Sequence, residues 1–89
     1  MPEVSRFFGI VVTMSLEAGA AHMAPHFHVR YEDYRASYGI DPAVQLAGAL
    51  PRRQQRLIEA WAELHQEELL ANWELAQQNR MLRRITGLK

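Results

Sequence analysis

His22-Met23-Ala24-Pro25-His26-Phe27-His28-Val29 is the stretch whose reading decides the fold. Pro25 disfavours helix at the residue before it, so the chain enters His26 extended. Side chains alternate along a strand, which places His26 and His28 on one face and Phe27 and Val29 on the other. A strand from His26 to Tyr31 follows. Glu32-Asp33 reads as a short turn, and Tyr34 or Arg35 to Ile40 returns as the antiparallel partner. With Phe27, Val29 and Tyr31 turned towards a core, His26, His28 and Arg30 face outward, joined by Arg35 and Ser37 of the next strand.

Before this hairpin, Met1 to Arg6 is a polar lead and Phe7 to Met14 reads as one strand, apolar on both faces and therefore central. Ser15 to Ala24 is small, Gly-containing and aperiodic, as in a loop. After the hairpin, Asp41-Pro42 breaks the pattern, and Val44 to Ala49 adds a short edge strand. Pro51 suits the first position of a helix in which Leu57, Ile58, Trp61, Leu64, His65, Leu69, Trp73 and Ala76 recur at three- and four-residue spacing. That spacing predicts one helix over Arg52 to Gln78, with a break near residue 66 as the alternative, since the run is about twice the usual length. Leu82, Ile85 and Leu88 equip the tail to pack back on the sheet. The expected fold is therefore α+β, a three- to four-stranded antiparallel meander packed by one long C-terminal helix. Residues 1–89 form a single domain, with the meander in 1–50, the helix in 51–80 and the tail in 81–89.

Composition narrows the function classes. Eighty-nine residues, 48% of them apolar, suffice for one core and leave no room for a separate catalytic domain. The chain has no cysteine, which excludes disulfides, thiolate zinc sites and cysteine nucleophiles. No apolar run approaches a membrane span and no leader-like segment opens the sequence, so a cytoplasmic protein without a membrane partner is expected. The 10 basic and 10 acidic residues balance, but nine of the basic ones are Arg, the side chain suited to planar, bidentate contact with phosphate or carboxylate. Neutrality argues against a strongly electrostatic DNA binder.

Imidazole carries protons near neutral pH and is the commonest metal ligand, so three of the four histidines within seven residues invite two chemical readings. In the first, the outward face holds an RNA backbone. His26 and His28 act as base and acid in 2'-hydroxyl attack on phosphate, Arg30 stabilises developing charge, and no cofactor is needed. Arg35 on the same face, and Arg52 and Arg53 at the helix start, are then the nucleic-acid contacts. In the second, His22, His26 and His28 hold a divalent metal such as zinc or nickel, with His65 and Glu68 as further ligands. The plain structural alternative has the histidines bonding backbone and shaping a Pro-bounded turn. His65, Glu68 and Asn72 also fall on the apolar arc of the helix, where they need partners. A satisfied core network accounts for them more simply than a site. Trp61 and Trp73, at helix-face spacing, belong to the core.

Ser5-Arg6-Phe7-Phe8-Gly9-Ile10, Pro25-His26-Phe27-His28-Val29, Leu50-Pro51-Arg52, Trp61-Ala62-Glu63-Leu64-His65 and Glu68-Leu69-Leu70-Ala71-Asn72-Trp73-Glu74 together resemble the domain of unknown function 4160 family of small bacterial proteins. The resemblance spans nearly the whole chain, and the family's histidine positions are matched by His22 and His65. It implies a partner of another small protein in a toxin-antitoxin-like pair, or a regulator. Three expectations follow. The first is a toxin-antitoxin-type module that binds or cleaves RNA through its His/Arg strand face, and the second is a metal-binding protein. The third is a non-catalytic interaction partner of a small cognate protein or of a second copy, docking through its tail or an exposed strand edge.

Overall fold

A computed structural model describes residues 2–15 and 24–89, so the expectations placed on His22 lie outside the described residues. The elements are β1 (Glu3–Phe7), β2 (Ile10–Thr13), β3 (His26–Tyr31), β4 (Tyr34–Gly39), β5 (Gln45–Gly48), α1 (Arg52–Leu64) and α2 (Gln66–Gln77). The strands form one five-stranded sheet in the order β1-β2-β3-β4-β5, with every neighbouring pair antiparallel. The α+β class and the meander are as expected, but among the described residues the sheet has five strands rather than three to four, and two helices replace one.

The extra strand comes from a turn hidden inside an apolar run. Phe7 pairs with Ile10 across a two-residue loop, Phe8-Gly9, in which both residues have positive φ (51° and 79°). Such loops normally draw Asn, Asp or Gly, so a Phe in the first position masks the reversal. The polar lead is thus β1, paired along β2.

The helix breaks at His65, whose φ of −115° and ψ of 27° lie outside the helical range. His65 ends α1 by donating its N–H to Trp61 O (3.0 Å) and opens α2 by accepting from Leu69 N (2.9 Å). Its ring Nδ1 lies 2.6 Å from Glu68 Oε1, a pairing of the residue before α2 with the third residue of the helix. Glu67 and Glu68 add negative charge to the first turn, where the helix dipole favours it. Gln66 Nε2 donates to Ile40 O (3.1 Å), which ties the bend to the end of β4.

Both helices serve a core on the Phe27 face. The Trp61 ring meets Phe27 edge-on at 5.9 Å and Phe7 at 5.4 Å, and Trp61, Phe27 and Tyr38 are completely buried. Each such side chain contributes about 1.5–3 kcal/mol by leaving water, so these rings fix which sheet face the helices cover. The tail closes one edge of the sheet: Ile85 N donates to Val4 O (2.7 Å), and Trp61 Nε1 donates to Thr86 O (2.9 Å). Asn72 on α2 clasps the tail, donating Nδ2–H to Arg83 O (2.8 Å) and accepting from Arg83 N (2.9 Å) at Oδ1. On the other edge, β5 is short and bulged, with Leu46 left unopposed between Ala47 and Gln45, the partners of Ser37 and Tyr38. Gln45 accepts from Tyr38 Oη (3.1 Å) and donates to Gly48 O (2.8 Å), satisfying a carbonyl of the edge strand itself. Bulges and self-capped carbonyls discourage strand addition.

Candidate nucleic-acid interface on the outward sheet face

Strand alternation delivers the polar face that the sequence implies. Phe27 and Val29 are buried, Arg30 is exposed, and His28 is intermediate. The registers carry this face across the sheet in two rows. Thr13, His28, Ser37 and Ala47 stand side by side on β2 to β5, and Arg6, Val11, Arg30 and Arg35 on β1 to β4. Thr13, His28, Arg30, Arg35 and Ser37 line a concavity of about 540 Å³ that ends against Ala47 and Gly48. Gly48, with φ of 76°, brings β5 so close to the Arg35 carbonyl that any Cβ there would collide with it. The shallow end of the concavity depends on that glycine.

Two arginines on this face stand together without an acidic partner among the described residues. Arg30 and Arg35 are directly opposite one another across β3 and β4. Like charges in such a pair destabilise the sheet. Among the described residues Arg35 Nη1 donates to the backbone carbonyls of Tyr34 (3.1 Å) and Glu32 (3.3 Å). Among the described residues neither Arg30 nor Arg35 has a carboxylate partner, whereas Arg6 is bound to Glu3 at 2.7 Å. Glu3 also holds Arg84 at 2.7 Å, and hydrogen bonds from Arg6 and then Arg84 draw its carboxyl down to about 2.

His26 departs from the expected arrangement. It alternates with Phe27 as predicted, yet it is buried at 4% exposure, because Trp73 of α2 closes over the start of β3 with ring centroids 5.0 Å apart. Its Nδ1 lies 3.0 Å from Ala24 O, and since a carbonyl only accepts, Nδ1 carries the proton. The His28 ring meets it edge-on at 5.3 Å. His26 therefore braces His28 from behind, and of the two imidazoles it is His28 that lines the concavity.

The remaining expected site residues lie elsewhere. His65 and Glu68 pair with each other at the helix break, and Asn72 is the clasp on the tail, as a satisfied network requires. Among the described residues no group of three or more His, Asp or Glu could hold a metal ion. Arg52 and Arg53 are exposed at the start of α1, where Pro51 supplies no side-chain cap and the first turn has no acid. Arg53 lines a second concavity that shares no residue with the first. Sequence reasoning did not single out Thr13, although it is the one polar residue in the β2 run and register pairs it with His28.

The comparisons with known proteins bear on family rather than activity. No curated protein and no solved structure matches the chain. Among the described residues no helix is long and apolar enough to cross a membrane. A family model described as Domain of unknown function (DUF4160) matches residues 9–74, which takes in β2 to β5, α1 and most of α2. With about three-quarters of its length under that model, the chain belongs to the DUF4160 family.

Proposed function

We propose that this chain is a toxin-antitoxin-type module that binds RNA along the outward face of its sheet. The observation that carries this reading is the Arg30–Arg35 pair beside His28 in one concavity. Two guanidinium groups held opposite each other cost the isolated protein stability, and an anionic backbone lying between them removes that cost. Ser37 stands beside His28 with a hydroxyl that donates to phosphate or to the 2'-hydroxyl, the group that separates RNA from DNA. Binding is favoured over cleavage because in-line attack by a 2'-hydroxyl calls for an accessible base and an accessible acid. His26 is enclosed by Trp73, so His28 with Arg30 is the machinery at hand.

The test is the affinity for a labelled single-stranded oligoribonucleotide, measured by fluorescence anisotropy over a range of salt concentrations. Wild type is expected to bind with an affinity that falls linearly on a log–log salt plot. Each of Arg30→Gln and Arg35→Gln should reduce the slope by about 0.7, the contribution of one phosphate contact on a single strand. A folded double variant with the wild-type affinity and slope would remove the outward face from RNA binding.

A further inference from the structure

The β1–β2 turn carries a feature that neither packing nor the outward face explains. Phe8 occupies the first position of the β1–β2 turn with φ of 51°, and the residue is 55% exposed. A bulky aromatic in the left-handed region is strained, and glycine or asparagine would serve the turn better. The side chain also gains little from burial, its ring touching Phe7 edge-on at 6.2 Å. Strain held where it does not improve packing points to a task.

Phe8 and Tyr31 wall a concavity of about 560 Å³, completed by Arg53, Gln54 and Leu57 of α1 and by Leu88 and Lys89 of the tail. The tail is placed there by several fastenings. Trp61 Nε1 holds Thr86 O, and Gly87 passes so close to Phe7 that a Cβ would lie 2.7 Å from the Phe7 Cβ. Among the described residues no Asp or Glu lines the cavity, and neither Arg53 nor Lys89 forms an ion pair. The walls thus offer a planar aromatic surface, one amide able to donate and accept, and two cations.

We propose that this cavity binds a nucleotide, with the base stacked on Phe8 and Tyr31, its polar edge met by Gln54, and its phosphate held by Arg53 and Lys89. Aromatic faces accept any base, and guanidinium with ammonium neutralises a phosphate. The size is that of a small-ligand pocket. The same chemistry is presented by a free mononucleotide and by the 5'-phosphorylated end of an RNA strand. The site shares no residue with the outward face and does not rest on RNA binding there.

The test is calorimetric titration of the full chain with adenosine monophosphate, with inorganic phosphate and with a short 5'-phosphorylated oligoribonucleotide, alongside thermal melting. Wild type is expected to bind the mononucleotide in the millimolar range or tighter and inorganic phosphate more weakly. Phe8→Gly relieves the turn, so it should raise the Tm while weakening nucleotide binding about tenfold, the loss of one stacked base. Arg53→Gln should weaken binding similarly. Arg56→Gln, which removes a cation from the same helix outside the cavity, should not. Equal affinities for mononucleotide and oligomer make the free nucleotide the ligand. Tighter binding of the oligomer that still requires Phe8 makes it an RNA end, and either supports the site. No binding of the mononucleotide, equal binding of inorganic phosphate, an unchanged affinity in Phe8→Gly, or a lower Tm in that variant would overturn it.

Discussion

Arg30 and Arg35 face each other across β3 and β4 with no carboxylate between them among the described residues. Replacing either by Thr removes a like-charge repulsion and installs a good strand former. Arg30→Thr is expected to raise stability by about 0.2–1 kcal/mol in urea unfolding while weakening RNA binding. A variant that loses stability and keeps its RNA affinity would show that the pair serves the fold.

His26 and His28 should separate in the same two assays. His26 is buried against Trp73 and bonded to Ala24 O, so His26→Ala opens a cavity and removes the proton that carbonyl accepts. A loss of about 2–4 kcal/mol is expected in urea unfolding. His28→Ala, in the lining of the concavity, should cost less stability and more RNA affinity.

Asn72 holds the tail by a donor and an acceptor at once, a combination only an amide side chain provides at that length. Asn72→Asp keeps the acceptor and loses the donor, and Asn72→Ala loses both. The Ala variant is expected to lose about 1–3 kcal/mol, and amide exchange at Arg83 and Ile85 should accelerate in both variants.

Acid should loosen the same tail from its other side. Glu3 binds Arg6 and Arg84, and its carboxyl is drawn from an ordinary 4.5 down to about 2 in the folded chain. Between those values the unfolded chain binds the proton and the folded chain does not, so the contribution is complete above about pH 4.5 and lost as pH falls through about 2. Glu3→Gln should flatten this part of the stability–pH curve, read by urea unfolding in steps of pH. An unchanged curve would assign acid sensitivity to other carboxylates.

The β3–β4 hairpin was legible in the sequence because polar and apolar residues alternate on both sides of a short turn, and alternation alone orients Phe27 inward and Arg30 outward. The β1–β2 turn was not, because Phe8-Gly9 sits inside an apolar run with an aromatic where turn chemistry calls for Asn, Asp or Gly. The helix break was legible only as an alternative. Its cause, a His65–Glu68 pair beside a Gln66 bond to Ile40, depends on where β4 ends in space. The burial of His26 follows from Trp73 crossing the start of its strand, a contact between distant residues that no local pattern encodes. The candidate site was legible in its residue types and its face, and Thr13 entered it only through register.

The most direct measurement is a titration of the isotopically labelled chain with a short single-stranded RNA at low salt, followed by amide chemical shifts. Saturable shifts at Thr13, His28, Arg30, Arg35 and Ser37, which weaken as salt rises, are the expected result. A titration that saturates with all five amides unmoved would contradict binding on the outward sheet face.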